Sequence, residues 1–245
     1  LPPQVLSMSS REEVLEVLAA RRVAVLPVVD TEFRVVGIIE QDSLVRAARE
    51  AAASDIQSMV GVSREERALS PAWFAVRRRL PWLNINLLTA FLAASVVGVF
   101  ENTIAQFTAL AVLLPVVAGQ SGNTGAQALA VVMRGLALRE IRTRHAARVL
   151  FKEGFAGLIN GVAIALVTCL GVFLWSGSPG LCLVIGAAMI ISMMLAGLSG
   201  AAIPLVLSAL RQDPAQSGSI ILTTVTDIVG FFSFLGLATI FSNLL

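Results

Sequence analysis

Histidine and cysteine are almost absent from this 245-residue chain, which has one His and two Cys. The single His145 sits in a basic loop, which removes a Ser-His-Asp triad. No Cys/His cluster exists to favour zinc or copper. Cys169 and Cys182 lie in or beside apolar segments without metal-ligand spacing, so they read as small buried hydrophobes and not as a disulfide scaffold. Charge is scarce as well. Charged residues make up 14% of the chain and hydrophobic ones 56%, whereas a soluble globular domain carries about 25% charged residues. No recognisable enzyme site is left. The opening segment is polar, so no cleaved signal peptide is read there. The chain begins without Met, inside what reads as a domain, and is expected to be part of a longer protein.

The apolar residues concentrate after residue 80, in segments of about 20 residues, the length that crosses a hydrocarbon layer of ~30 Å. Five spans are expected, at about 82–100, 104–131, 154–174, 181–208 and 220–241. The fold class is therefore an α-helical polytopic membrane protein with five transmembrane helices per subunit and a small α/β unit in front. Arg77, Arg78 and Arg79 precede the first span; Arg134, Arg139, Arg142, Arg144, Arg148 and Lys152 follow the second; Arg211 lies between the fourth and fifth. The opposite connections, ENTI and SGSPG, hold no Lys or Arg. Positive residues favour the cytoplasmic side. The expected location is the bacterial inner membrane, with the N-terminus cytoplasmic and the C-terminus outside. The basic loop thus reports topology, and no nucleic acid partner is expected. Pro115 and Pro204 can kink the two longest spans or free backbone carbonyls, and Gly157, Gly161, Gly197, Gly200 and Ala201 offer small surfaces for close helix packing.

Residues 5–53 read as strand, helix, strand, strand, helix. A capping signature, Ser9 or Ser10 followed by Glu12 or Glu13, opens the first helix, and Asp30-Thr31-Glu32 turns between two β-rich runs. The pattern Leu26 to Asp30 with Val35 to Asp42 resembles a CBS motif. Such motifs normally pair, and the partner is expected upstream of residue 1. Domains are placed at 1–56 (CBS motif), 57–80 (linker or plug helix, from about Ser63, interrupted or restarted at Pro71) and 81–245 (transmembrane domain). Glu40, Asp42 and Asp55 are candidates for a regulatory cation site; equally, they are ordinary solvated acids at helix starts.

Two features stand out within the spans. Pro115 to Gln127 reads PVVAGQSGNTGAQ, poor material for a lipid-facing helix and good material for meeting a hydrated ion. Asp227 is a lone carboxylate in TTVTDIVGFFSFLG, and ionisable groups at such depth are by default ion-path candidates. In a helix, Ser219, Thr223, Asp227 and Gly230 share a stripe. Gly119, Gly122, Asn123 and Gln127 supply the facing polar set. The bland alternative is that these amides and Asp227 only stitch helices together. The donors are all oxygen, which suits hard divalent cations, and magnesium keeps its waters. One carboxylate per subunit is little charge for such an ion; a two-fold dimer would bring two copies of Asp227 together. Asp213, just before the fifth span, can concentrate cations at the mouth or simply cap the next helix. A divalent cation falling through 100 mV gains about 4.6 kcal/mol, roughly a thousandfold accumulation, so a gate is needed.

Pro115 to Gln127, FKEG (Phe151 to Gly154) and DPAQSGSIILTTVTDIVG (Asp213 to Gly230) together resemble the signatures of the MgtE-type magnesium channels and transporters. The resemblance implies a homodimer in the lipid bilayer with spans two and five lining a central pore. It implies that Asp227 holds hydrated magnesium beside Ser219 and Thr223, the latter through its main-chain carbonyl. It implies closure when cytosolic magnesium binds acidic sites between the CBS, plug and N-terminal regions. ATP is possible at a CBS region, though the single motif here does not support it by itself. Ile220 and Ile221 stand where the family commonly has a proline after its Ser-Gly pair. The alternative readings are an ion-coupled divalent-cation secondary transporter and a membrane-anchored CBS regulatory protein.

Overall fold

The computed structural model describes residues 3–9, 13–14, 17, 20, 23–40, 42, 46, 57–58, 60–63, 65–138, 140–141, 143–212 and 214–245. The chain divides into two compact units, Leu1–Gln57 and Ser58–Leu245.

In the first unit β1 (Val5–Leu6), β2 (Val25–Val29) and β3 (Val35–Glu40) form one sheet in the order β1-β2-β3. β1 pairs parallel to β2, with Val5 opposite Val28. Parallel neighbours need a crossover, and the helical residues Glu13, Val14, Val17 and Ala20 belong to it. β2 and β3 form an antiparallel hairpin, with Val25 opposite Glu40. Its turn is built by Asp30, whose Oδ1 accepts from the backbone N–H of Glu32 and of Arg34, both at 2.9 Å. Phe33 takes a left-handed backbone there, φ 59°. Val5, Val14 and Leu26 are the buried centre. The expected strand and turn order holds among the described residues; Ser10 and Glu12 of the capping signature, and Asp55, lie outside them.

The second unit is helical. α1 is Ala72–Val99, α2 Glu101–Gln106, α3 Ala109–Ala137, α4 Ala146–Ser176, α5 Pro179–Ala209 and α6 Pro214–Ile240. A helix start near Ser63 does not occur: Glu66 N–H bonds Ser63 O and Ser70 N–H bonds Arg67 O, both turns. The helix begins after Pro71, whose preceding residue is biased away from helix. From there α1 runs on into the first apolar segment. Arg79 grips Glu66 through Nε, 3.1 Å from Oε2, and through Nη2, while Arg78 pairs with Glu65. These pairs fold the turn back on α1. Pro115 and Pro204 both lie inside continuous helices, α3 and α5.

Among the described residues four helices are long and apolar enough to cross a membrane: α1, α4, α5 and Ser217–Ile240 of α6. The expected second span corresponds to α2 and α3. α3 has the length, 29 residues, or about 43 Å at 1.5 Å per residue. Its Gly119-to-Gln127 stretch is what sets its composition apart from the other four. The hairpin between α4 and α5 is tight. Gly177 ends α4 with φ 66°, a conformation that glycine adopts without strain, and Ser178 Oγ caps α5 by accepting from Leu181 N–H at 3.2 Å.

α5 is the central element and packs against α3, α4 and α6. Its Val184, Ile185, Ala188, Met189 and Met193 join Leu110, Leu113 and Val117 of α3 and Phe234, Leu235 and Ala238 of α6 in one core. α1 packs on α6 with one buried residue, Ala93. Glycines set how near the other helices come. A methyl on Gly157 would lie 2.5 Å from Met193 O, and one on Gly197 2.5 Å from Glu153 O. The expected small-residue packing is therefore present, on α4 and α5. Gly197→Ala should force these backbones apart and lower stability by about 1–3 kcal/mol. Gly171→Ala, which meets nothing within 4 Å, should be neutral or stabilising. Thermal unfolding in detergent with intrinsic-fluorescence readout separates the two; equal midpoints would contradict the packing account.

Candidate functional site

α6 carries the acidic candidate. Pro214 stands at its first position, where a missing N–H breaks no helical bond. Further along, Thr223, Thr224, Val225 and Thr226 form a β-branched run, weak helix material. The threonine hydroxyls fold back onto their own helix. Thr223 Oγ1 donates to Ser219 O at 2.9 Å, Thr224 Oγ1 to Ile220 O at 2.7 Å and Thr226 Oγ1 to Thr223 O at 3.1 Å. Each hydroxyl hydrogen is used internally, and of the three only Thr223 is exposed, with its oxygen left as an acceptor.

Ser219, Thr223, Asp227 and Gly230 do share one face of α6, but the face is graded. Thr223 is exposed, Ser219 and Asp227 are half-buried and Gly230 is buried. Among the described residues no lysine, arginine or histidine forms an ion pair with Asp227. At Thr223 the main-chain carbonyl accepts the Thr226 hydroxyl at 3.1 Å, and the side-chain oxygen is a second acceptor. Gly230 lies against α3: a methyl there would lie 3.3 Å from Ser121 Oγ and 3.6 Å from Val117 Cγ1. The glycine lets α6 close onto α3. A glycine in a polar stripe reads the same in sequence whether it opens a passage or admits a neighbour.

α3 has two faces. Val117, Ser121, Thr124, Gly125 and Ala128 are buried. At Gly125 an added methyl would meet Leu222 and Thr226 of α6 and the carbonyl of Ala196 on α5. The other face holds Gly119, Asn123 and Gln127, with Gly122 half-buried beside them. Neither Gly119 nor Gly122 has anything within 4 Å of an added methyl. Asn123 and Gln127 point the same way, as their spacing requires. Ser121 and Thr124 turn their hydroxyl hydrogens onto Val117 O and Gln120 O, both at 2.9 Å.

Asp213 lies outside the described residues, as does Asp55. Glu40 ends β3 and is exposed; Asp42 is helical and exposed. Both belong to the first unit. A cavity of about 190 Å³ with a largely apolar wall and four polar side chains lies between α3, α4 and α5. It is lined by Thr124, Gln127, Glu153 and Asn160 over Gly157 and Gly197. Glu153 is buried, and its Oε1 receives Lys152 Nζ at 2.5 Å. That carboxylate is neutralised where Asp227 is not. Asn160, an amide inside the apolar run of α4, is the available sequence signal for this cavity. Among the described residues no three His, Cys, Asp or Glu side chains gather as a metal cluster. The oxygen donors of α3 and α6 fit a cation that keeps its water shell, since bound waters point hydrogens outward and need acceptors.

The family model described as "MgtE: Divalent cation transporter" matches residues 114–237, which contain both the amide stretch and Asp227. The chain is 31% identical over 239 residues to the "Magnesium transporter MgtE" of Bacillus subtilis, covering 96% of this chain and 52% of that protein. It is 34% identical over 235 residues to the protein of the same name in Thermus thermophilus, covering 94% and 51%. The Enterococcus faecalis protein of that name is 30% identical over 231 residues, again 94% and 51%. The chain thus spans about half the length of the curated relatives it matches. With its long apolar helices, the match supports a membrane location. On these grounds the chain belongs to the MgtE family of divalent cation transporters.

Proposed function

We propose that this chain moves magnesium across the membrane as a hydrated ion, without catalytic chemistry, through a pore lined by α3 and α6 of two subunits. The observation that carries this reading is Asp227: a half-buried carboxylate in an apolar helix, with no cation paired to it among the described residues. In a two-fold dimer its copies face each other and supply two negative charges. The Ser219 and Thr223 side-chain oxygens, and the amide oxygens of Asn123 and Gln127, accept hydrogen bonds from the ion's waters. The relatives' name, magnesium transporter, supports the choice of ion. α3 is the fifth crossing in this reading: its open face of Gly119, Asn123 and Gln127 meets water and not lipid, which explains its lower hydrophobicity.

Orientation follows from charge. Arg77 to Arg79, the connection between α3 and α4, and Arg211 lie on the cytoplasmic side; the Gly177-Ser178 turn and the C-terminus lie outside. Regulation is assigned to the CBS-type unit and to residues 57–80. Cytosolic magnesium competes there with arginine for carboxylates such as Glu65 and Glu66, which pair with Arg78 and Arg79. Glu40, Asp42, Asp55 and Asp213 are further acidic candidates for binding on that side.

Asp227→Asn keeps shape and removes charge. It should weaken divalent affinity by roughly tenfold or more, about 1.4 kcal/mol per factor of ten, and reduce selectivity over monovalent ions. Magnesium influx into proteoliposomes at fixed voltage measures this, and unchanged selectivity would reject the assigned role. A channel should also respond to voltage alone, at about 4.6 kcal/mol per divalent ion per 100 mV. Influx in the same vesicles should persist when proton and sodium gradients are collapsed. Loss of flux under those conditions would establish a coupled transporter instead.

A further inference from the structure

The α4–α5 hairpin keeps one register along its length. Gly157 lies against Met193 and Met194, Gly161 against Ile190, and Gly186 against Ala165 and Cys169. Each step of about four residues along α4 meets a step of about four back along α5, as two packed antiparallel helices require. The next step places Cys169 opposite Cys182. The side chains confirm the pairing: Cys169 Sγ donates to Cys182 O at 3.1 Å, and Cys182 Sγ donates to Cys169 O at 3.4 Å. Both thiols are free and half-buried. Gly186 leaves room for the Cys169 sulfur, since a methyl there would lie 2.8 Å from Cys169 Sγ.

We propose that Cys169 and Cys182 form a redox-active dithiol that closes to an intramolecular disulfide in exchange with a disulfide-class oxidant. A disulfide needs facing Cβ atoms over a short Cα separation, and the reciprocal sulfur-to-carbonyl contacts of 3.1 and 3.4 Å point to such a facing pair. Rotation about χ1 turns each sulfur from the partner's carbonyl toward the partner's sulfur. The chemistry proceeds through a mixed disulfide. One thiol loses its proton and attacks the oxidant's S–S bond, releasing one thiol. The second cysteine then displaces the other half. Two protein S–H bonds and one oxidant S–S bond break; one protein S–S bond and two oxidant S–H bonds form. The protein gives up two electrons and the oxidant takes them.

The pair sits near the Gly177-Ser178 end of the hairpin. In the orientation proposed above that end is outside, where no cytosolic thiol pool opposes oxidation. The consequence is mechanical. α5 is the helix that α3, α4 and α6 pack around, and the bond clips it to α4 at one end while leaving Asp227 and Asn123 untouched.

The test uses the full chain, purified in detergent, so that it does not depend on orientation or transport. The protein is incubated with glutathione disulfide, quenched with a polymer-linked maleimide, and examined by gel shift and intact mass. The expected result is loss of both labelled thiols together, no glutathione adduct, a monomeric band without reductant and full reversal by reductant. The oxidised form should also melt higher than the reduced one. Cys169→Ser should instead take a single glutathione at Cys182. Two thiols still labelled, stable glutathione adducts on the unsubstituted chain, or a disulfide-linked dimer would each overturn the proposal.

Discussion

A carboxylate inside a hydrocarbon layer must be paired, hydrated or protonated, because the charged form alone is too costly there. This constraint organises the helical unit. Glu153, near the start of α4 on the side proposed as cytoplasmic, is buried and paired: Lys152 Nζ sits 2.5 Å from its Oε1. Asp227 has no such partner among the described residues and keeps partial exposure. Two acids, one near the start of α4 and one within α6, are thus held in different ways. In the proposed pore the solution at Asp227 is water, together with the cation that the water surrounds.

The hydroxyls around Asp227 follow from the same constraint. A threonine in an apolar helix has to place its hydrogen somewhere, and the carbonyl one turn back is the nearest acceptor. Thr223, Thr224 and Thr226 all do this. On the stripe of Asp227 this leaves the Thr223 oxygen as an acceptor beside the carboxylate, while Thr226 is buried against α3. In the proposed pore that face suits the outward hydrogens of a hydrated cation. The α3 face adds Asn123 and Gln127, while the reverse side of α3 is given over to packing through Gly125, Thr124 and Ser121.

Much of this is legible in the sequence, and the parts that are not share a cause. Helix positions follow from apolar run lengths; the start of α1 at Ala72 follows from Pro71. The segment before Pro71 reads as helix because its charged residues have ordinary helix propensity, whereas its described residues form turns whose Glu65 and Glu66 pair with Arg78 and Arg79. Among the site residues, the shared face of Asn123 with Gln127 and that of Thr223 with Asp227 come straight from helical periodicity. Gly230 does not, because a missing side chain leaves no periodic trace of what approaches it. The bond that the Thr223 carbonyl accepts is also hidden, since it depends on the rotamer of Thr226.

By itself the sequence determined which segments are helical and apolar, which face of each helix is polar, and that one carboxylate lies in the last of them. Those are local properties, set by composition and by the 3.6-residue repeat. Tertiary structure alone decided that α5 is central, that Glu153 is buried, that Gly230 is a contact, and that Cys169 faces Cys182. Each of these depends on which helices meet and in what register. Between α4 and α5 the register goes with backbone approach at Gly157, Gly161 and Gly197, and a glycine's effect is defined only by the neighbour it admits.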